Sequence, residues 1–311
     1  MAITAAQVKE LREMSGAGMM DCKKALNETN GDMEAAIELL RKNGVMKAEK
    51  KASRIAAEGI VHISMNDNKA CIVEVNSETD FVAKNETFTS FVASIADQVL
   101  NGSATNVEEL LSESYTLDSS KTVKDALTEK IATIGENLNI RRFQCVSSEG
   151  ALASYIHGGG RIGVIVNATT DKVDDNIKAG LRNIAMQIAA MNPKYVSQAE
   201  VSDEYKAHEL EILLAQAKVE NEELPENKRK PDAIIEKMII GRLNKELKEV
   251  CLLDQPYVQD PDLTVKAYVE NLGKASGANL SIKSFVRFET GEGIEKKSED
   301  FAAEVAAQIN G

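Results

Sequence analysis

Two segments carry residue types that could do chemistry. One is His157-Gly158-Gly159-Gly160-Arg161, the only glycine run in the chain. Glycines leading into a helix can cradle a phosphate on free backbone amides. This run lies between two strand patterns instead, so its context predicts a hairpin turn. Three glycines flanked by His and Arg would still let another molecule approach the backbone closely. The other segment is Ser77-Glu78-Thr79-Asp80-Phe81-Val82-Ala83-Lys84, where an aromatic residue follows acidic ones just after a strand. Two readings are open. Asp80 caps a helix and Phe81 staples into the core, or Phe81 is an exposed aromatic wedge.

The familiar catalytic signatures are missing. There is no GxSxG elbow and no GxxxxGK[ST] phosphate loop, and the G-x-G-x-x-G spacing of Gly158 to Gly163 lies between two strand patterns instead of leading into a helix. Cys22, Cys71, Cys145 and Cys251 stand far apart, and His62, His157 and His208 are scattered, so no zinc-ligand spacing exists. All four cysteines are expected to be free buried thiols in a reducing compartment. No catalytic residue, cofactor or metal is expected. A small-molecule enzyme would need a cluster of titratable groups in a cleft, and the spacing offers none. The net charge of −12 argues against a general nucleic-acid binder, which needs a basic face for phosphates. No apolar run approaches the roughly 18 residues of a membrane span. The opening residues are polar and helix-like, without a signal-peptide core. A cytoplasmic protein acting through a macromolecular partner is expected.

The elements that must position these segments follow from pattern. Hydrophobic residues are 43% of the chain but aromatics only 4%, with no Trp, so the core must be built from Ala, Ile, Leu, Val and Met. Thr4 can cap a first helix with Val8 and Leu11 inward, and Ser15–Gly18 is a turn. A second helix covers Asp21–Asn27. Asp32 caps a third, from Met33 to Lys42, which Asn43-Gly44 should end. The basic stretch Lys47–Arg54 is a helix or a connector. From Glu58 the period changes to strands: Gly59–Met65 and Ala70–Val75 form a hairpin around Asn66–Lys69. A helix then presents Phe88, Phe91, Val92, Ile95 and Val99 on one face.

The chain then repeats itself. At an offset of 91 residues, Glu58-Gly59 falls on Glu149-Gly150, Val73 and Val75 on Val164 and Val166, and Thr79-Asp80 on Thr170-Asp171. The Asp67-Asn68 turn falls on Gly158-Gly159. At an offset of 142, Thr122-Val-Lys falls on Thr264-Val-Lys, Gly135 on Gly277, Asn137-Leu138 on Asn279-Leu280 and Phe143 on Phe285. Each unit reads as hairpin, helix, helix, strand, a duplicated α+β arrangement with antiparallel sheets. The offsets differ by 51 residues, so the second unit carries an insertion of about that size between Ile188 and Asp262. Within it, a helix from Ser202 to Glu223 and another capped by Asp232 make an antiparallel helical hairpin, a coiled coil projecting from the body. Ser298–Ile309 is a capped amphipathic helix whose stripe of Phe301, Val305 and Ile309 must be covered by the body or by a partner. The expected division is 1–53 (helical bundle and linker), 54–148 (first core unit), 149–195 with 250–295 (second core unit), 196–249 (inserted hairpin) and 296–311 (C-terminal helix).

Two long segments resemble signature sequences of the elongation factor Ts family. They are Leu11-Arg-Glu-Met-Ser-Gly-Ala-Gly-Met-Met-Asp-Cys-Lys-Lys-Ala-Leu26 and Glu74-Val-Asn-Ser-Glu-Thr-Asp-Phe-Val-Ala-Lys84. The resemblance implies an N-terminal ubiquitin-associated-like three-helix bundle, a duplicated core, an inserted antiparallel coiled coil and a C-terminal helix. It implies a guanine-nucleotide exchange factor that binds elongation factor Tu and speeds GDP release; a protein-binding module without exchange activity is the alternative. Asp80 and Phe81 resemble the family's intruding pair, which perturbs the partner's Mg²⁺ site. His157 resembles a second intruding contact, pushing toward the phosphate loop. Arg12, Met19, Met20 and Lys23 resemble bundle contacts to the partner's GTPase domain, and Phe301 a further contact to it. Val258 matches a family contact position, followed by Gln259 where Met is more familiar. The coiled coil resembles the part that carries homodimer or partner contacts.

Overall fold

Local capping signals set the N-terminal bundle of this computed structural model, which describes residues 3–295. The Thr4 hydroxyl accepts from the Gln7 amide while the Gln7 side chain accepts from the Thr4 amide, a capping box. Helix α1 (Ala5–Ser15) buries Val8 and Leu11 and ends at Gly16 in the left-handed region. Helix α2 (Met19–Glu28) follows, and Asp32 accepts from the Ala35 amide to start α3 (Met33–Lys51). The three share a small core of Leu11, Cys22, Leu26 and Ala36. α3 corrects one expectation: it runs through Asn43-Gly44 and the basic stretch to Lys51. A helix-interior glycine costs only about 1 kcal/mol, and a Cβ at Gly44 would lie 3.6 Å from that of Ala132. Packing of α3 on the next unit supports the helix where local propensity falls.

The first core unit contains β1 (Glu58–Met65), β2 (Lys69–Ser77), α4 (Asp80–Ala83), α5 (Glu86–Asn101), α6 (Val107–Ser112), β3 (Ser114–Tyr115), β4 (Asp118–Thr122), α7 (Val123–Ile134) and β5 (Asn139–Ser147). The second contains β6 (Ala151–His157), β7 (Ile162–Thr170), α8 (Asp175–Met191), the inserted α9 (Asp203–Glu223) and α10 (Asp232–Val250), then β8 (Pro256–Tyr257), β9 (Asp260–Thr264), α11 (Val265–Ser276) and β10 (Leu280–Glu289). The two main sheets are antiparallel, ordered β1-β2-β5 and β10-β7-β6. The fold is α+β, and the elements follow the two sequence offsets, with α7 matching α11 and the β3–β4 hairpin matching β8–β9.

The sheets stack face to face with helices outside. Side chains alternate along a strand. Cys71, Val73 and Val75 therefore face Phe88, Phe91, Val92 and Ile95 of α5, while Ala70 and Ile72 face Ile165, Leu152, Val286 and Phe288 of the other sheet. In β7, Val164, Val166 and Ala168 face α8 and Ile165 faces the seam. Both faces of β2 are dry, which explains its continuous apolar run. At the edge of this seam lies Glu74, fully buried. Its carboxylate accepts from Arg141 Nη1 at 3.0 Å, Arg142 Nε at 2.6 Å, Asn76 Nδ2 at 3.1 Å and the Gly291 amide at 2.8 Å. Arg142 also stacks 4.2 Å above the Phe288 ring and pairs with Glu292 at 3.2 Å. This network ties the first unit to the segment after β10.

Three further expectations meet the structure. Cys71 and Cys145 form a disulfide, against the expectation of four free thiols; Cys22 and Cys251 are free and buried. The pair sits directly opposite on β2 and β5, with Cα atoms 4.1 Å apart but 74 residues apart in sequence. The inserted helices pack along Leu213, Ile235, Ile239, Leu243 and Leu247, yet α10 is preceded by Pro231 with no side-chain cap. Asp232 is its first helical residue rather than its cap, where its charge still favours the helix dipole. The expected C-terminal helix, with Phe301, lies outside the described residues.

Candidate partner-binding site

β2 ends at Ser77, and the chain turns into the single helical turn α4. The Thr79 hydroxyl accepts from the Val82 amide, so Thr79, not Asp80, is the cap. Ala83 faces the core beneath α5. Phe81 is 82% exposed, whereas Phe88, Phe91 and Phe288 are buried. The choice left open by the sequence falls to the exposed aromatic. Asp80 is exposed beside it and pairs with Lys84 at 2.7 Å. The hydrogen bond from Lys84 holds its carboxyl below the usual carboxylate range, so it is ionised near neutral pH. The element thus presents a carboxylate and a bare phenyl ring side by side.

The glycine run forms the β6–β7 turn, with Gly158, Gly159 and Gly160 all at positive φ. Gly160 is required for a close approach: a Cβ there would lie 2.8 Å from that of Ile60. Its carbonyl accepts from the Val61 amide at 2.7 Å and from the Thr290 hydroxyl at 3.1 Å. The run therefore seats the turn of the second unit on β1 of the first. His157 is exposed at its start, with Nδ1 2.9 Å from the Tyr155 hydroxyl. β1 brings the two segments together. Its Glu58 pairs with Ser77, the last residue before the Asp80 turn, and its Val61 holds Gly160. Three residues of strand span only about 10 Å.

The remaining candidates lie on other elements. Arg12 on α1 and Met19, Met20 and Lys23 on α2 are exposed, the two methionines by 58% and 75%. The bundle rests on α7 near Gly16 and Thr133. Val258 is 44% exposed at the tip of the β8–β9 hairpin, where its amide donates to Gln187 at 2.8 Å. That hairpin packs with α11 of the second unit. Glu136, which no motif singles out, lies beneath the Asp80 turn and accepts from the Glu78 and Thr79 amides; the repeat marks it, since it stands where the second unit has Ala278. Among the described residues, no group of three or more His, Cys, Asp or Glu is arranged to hold a metal ion, and no helix is long and apolar enough to cross a membrane.

Residues 78–292 match the family described as Elongation factor TS. The whole chain is similar to the curated proteins named Elongation factor Ts of Clostridioides difficile strain 630, at 52% identity over 309 residues and 99% of each chain. That of Clostridium perfringens strain SM101 is 52% identical over 307 residues, 98% of each. That of Trichlorobacter lovleyi is 49% identical over 314 residues, covering 99% of this chain and 98% of the other.

Proposed function

Because the chain belongs to the elongation factor Ts family, we propose that it is a cytoplasmic guanine-nucleotide exchange factor of translation that binds elongation factor Tu in its GDP state and accelerates GDP release, with no chemical step of its own. The observation that carries this reading is Phe81, a phenyl ring standing in solvent beside an ionised Asp80. An aromatic held in water gains apolar burial only when a partner covers it.

The mechanism is one of coupling. A protein that binds the nucleotide-free partner more tightly than the GDP form must weaken GDP binding by the same factor. Asp80 and Phe81 enter beside the partner's nucleotide and disturb its Mg²⁺ site, while His157 pushes on the segment leading to its phosphate loop. Arg12, Met19, Met20 and Lys23 anchor the bundle on the partner's GTPase domain, with Val258 and Phe301 as further contacts. The α9–α10 hairpin, whose Ile234, Met238 and Ile240 are half exposed, carries homodimer or partner contacts. The working division is the bundle at 1–53, core units at 54–148 and at 149–195 with 250–295, the hairpin at 196–249 and a C-terminal helix at 296–311.

The test is stopped-flow release of fluorescent GDP from elongation factor Tu, with and without micromolar amounts of this protein. Strong acceleration supports exchange. A complex seen by gel filtration without acceleration would leave a binding module only. A second expected outcome concerns His157→Ala. The complex forms with little change, because the bundle contacts remain, while the maximal release rate falls about tenfold. Complete loss of the complex would count against the assigned push.

A further inference from the structure

The turn that presents Asp80 and Phe81 is gripped from below by a second turn. Gly135 ends α7 in the left-handed region, and the next residue, Glu136, turns its carboxylate toward β2. One Glu136 oxygen accepts from the Glu78 and Thr79 amides, both at 3.0 Å, and the other accepts from the Thr79 hydroxyl at 2.6 Å. The grip is reciprocal, since the Glu78 carboxylate accepts from the Asn137 amide at 2.6 Å. Thr79 is also the cap of α4, so one carboxylate fixes both the backbone and the hydroxyl from which the one-turn helix starts. A helix this short does not hold itself.

The duplicated unit supplies the comparison. There, Asp171 occupies the place of Asp80, and its carboxylate is consumed by the matching turn: it accepts from the Asn279 amide at 2.8 Å and side chain at 2.7 Å. In the first unit the Asn137 amide goes to Glu78 instead, and Glu136 stands where the second unit has Ala278. The same fold therefore ties its aspartate to the matching turn in one unit and leaves it free of that turn, paired with Lys84, in the other. Glu78 and Glu136, which stand where the second unit has Thr169 and Ala278, are the residues whose carboxylates take up the backbone amides of the first turn.

We infer that Glu136, with Glu78 as its counterpart, is a positioning residue that locks the 77–80 turn so that Asp80 and Phe81 project as a rigid pair. The inference rests on the exchange reading for its kinetic consequence but not for its structural one. Glu136 touches no group assigned to the partner, so its loss acts through Phe81.

Two measurements on the full chain test this. By NMR, the Phe81 backbone-amide order parameter falls from about 0.85 to below about 0.6 on Glu136→Ala, the change from a rigid to a flexible segment. In fluorescent GDP release from elongation factor Tu, Glu136→Ala lowers the maximal rate about tenfold and leaves the half-saturating concentration within about threefold, because misplacement penalises the productive geometry more than the encounter. Glu136→Gln restores the rate to within about threefold, since its amide oxygen can accept from both backbone amides and its NH₂ can donate to Thr79. Should Glu136→Ala fail to fold, Thr79→Val removes the shared hydroxyl and is expected to act in the same direction. An unchanged order parameter, or an unchanged maximal rate with Phe81 mobile, overturns the inference, as does equal loss of both kinetic parameters without rescue by Gln. If the wild-type chain gives no acceleration at all, the exchange reading falls, and the order parameter alone decides the lock.

Discussion

Phe81→Ala slows GDP release from elongation factor Tu by about ten- to a hundredfold while the protein keeps its fold. The magnitude comes from burial: covering a phenyl side chain is worth about 1.5–3 kcal/mol, and each 1.4 kcal/mol or so is a factor of ten in rate. The separation from stability comes from exposure. Phe81 is 82% exposed in the free protein, and a substitution at such a surface position moves folding stability by about 0.5 kcal/mol or less. Paired thermal melts and single-turnover release curves check both halves. Phe81→Leu, still apolar but smaller and without the ring, falls between the wild type and Phe81→Ala. A melting shift that accounts for the kinetic loss would remove Phe81 from the partner surface and return it to a structural role.

Glu74→Gln has the opposite profile: a large loss of stability at a residue that is fully buried and presents nothing to a partner. The carboxylate is fully buried against Arg141 and Arg142, themselves only 24% and 32% exposed. Removing one partner of a buried ion pair costs about 3–5 kcal/mol because the other charge is left uncompensated. Gln retains the size and can still accept from Gly291, and Arg142 keeps Glu292, so about 3 kcal/mol is expected at the lower end of that range. Urea unfolding measures it. The pH dependence fixes the sign. Burial alone would raise the Glu74 carboxyl, but the Gly291 amide, Arg142 and Asn76 together pull it below the usual range. A depressed carboxylate contributes its full stability above its ordinary value and loses it as pH falls through the folded one. The gap between wild type and Glu74→Gln is therefore constant near neutral pH and narrows below about pH 4. A gap that widened on acidification would contradict the assignment of charge as the source.

Much of the architecture was legible because it is encoded locally. Thr4 and Asp32 cap helices with their own side chains three residues on, and Gly135 and Gly277 end helices where only a left-handed residue closes the last turn. The duplication was legible because equivalent elements keep equivalent residues: Thr122 and Thr264 start matching helices, and Asn137 and Asn279 follow matching turns. At Gly44 and at the Cys71–Cys145 pair, a distant contact overrode local rules. Gly44 reads as a helix end, but α3 continues across it because the neighbouring unit packs there. Cys71 and Cys145 read as unrelated thiols, because a register between strands is set by pairing across the sheet and not by proximity along the chain.

The site divides along the same line. The residue types at Asp80, Phe81 and His157, and the glycines that let the His157 turn lie against β1, are properties of the sequence. What the sequence could not choose was the direction of Phe81. A phenyl ring beside a helix start is equally suited to stapling a core or to facing a partner, since both satisfy local preferences. The choice was made by Ala83 filling the inward position, by Thr79 taking the cap, and by Glu136, some 57 residues from Thr79, gripping the turn from another element. The sequence by itself determined the elements, their duplication and the chemistry on offer, because those depend on neighbours along the chain. Only the tertiary structure decided which side chains face the seam, which cysteines meet and which aromatic is left in water, because those depend on residues that folding brings together.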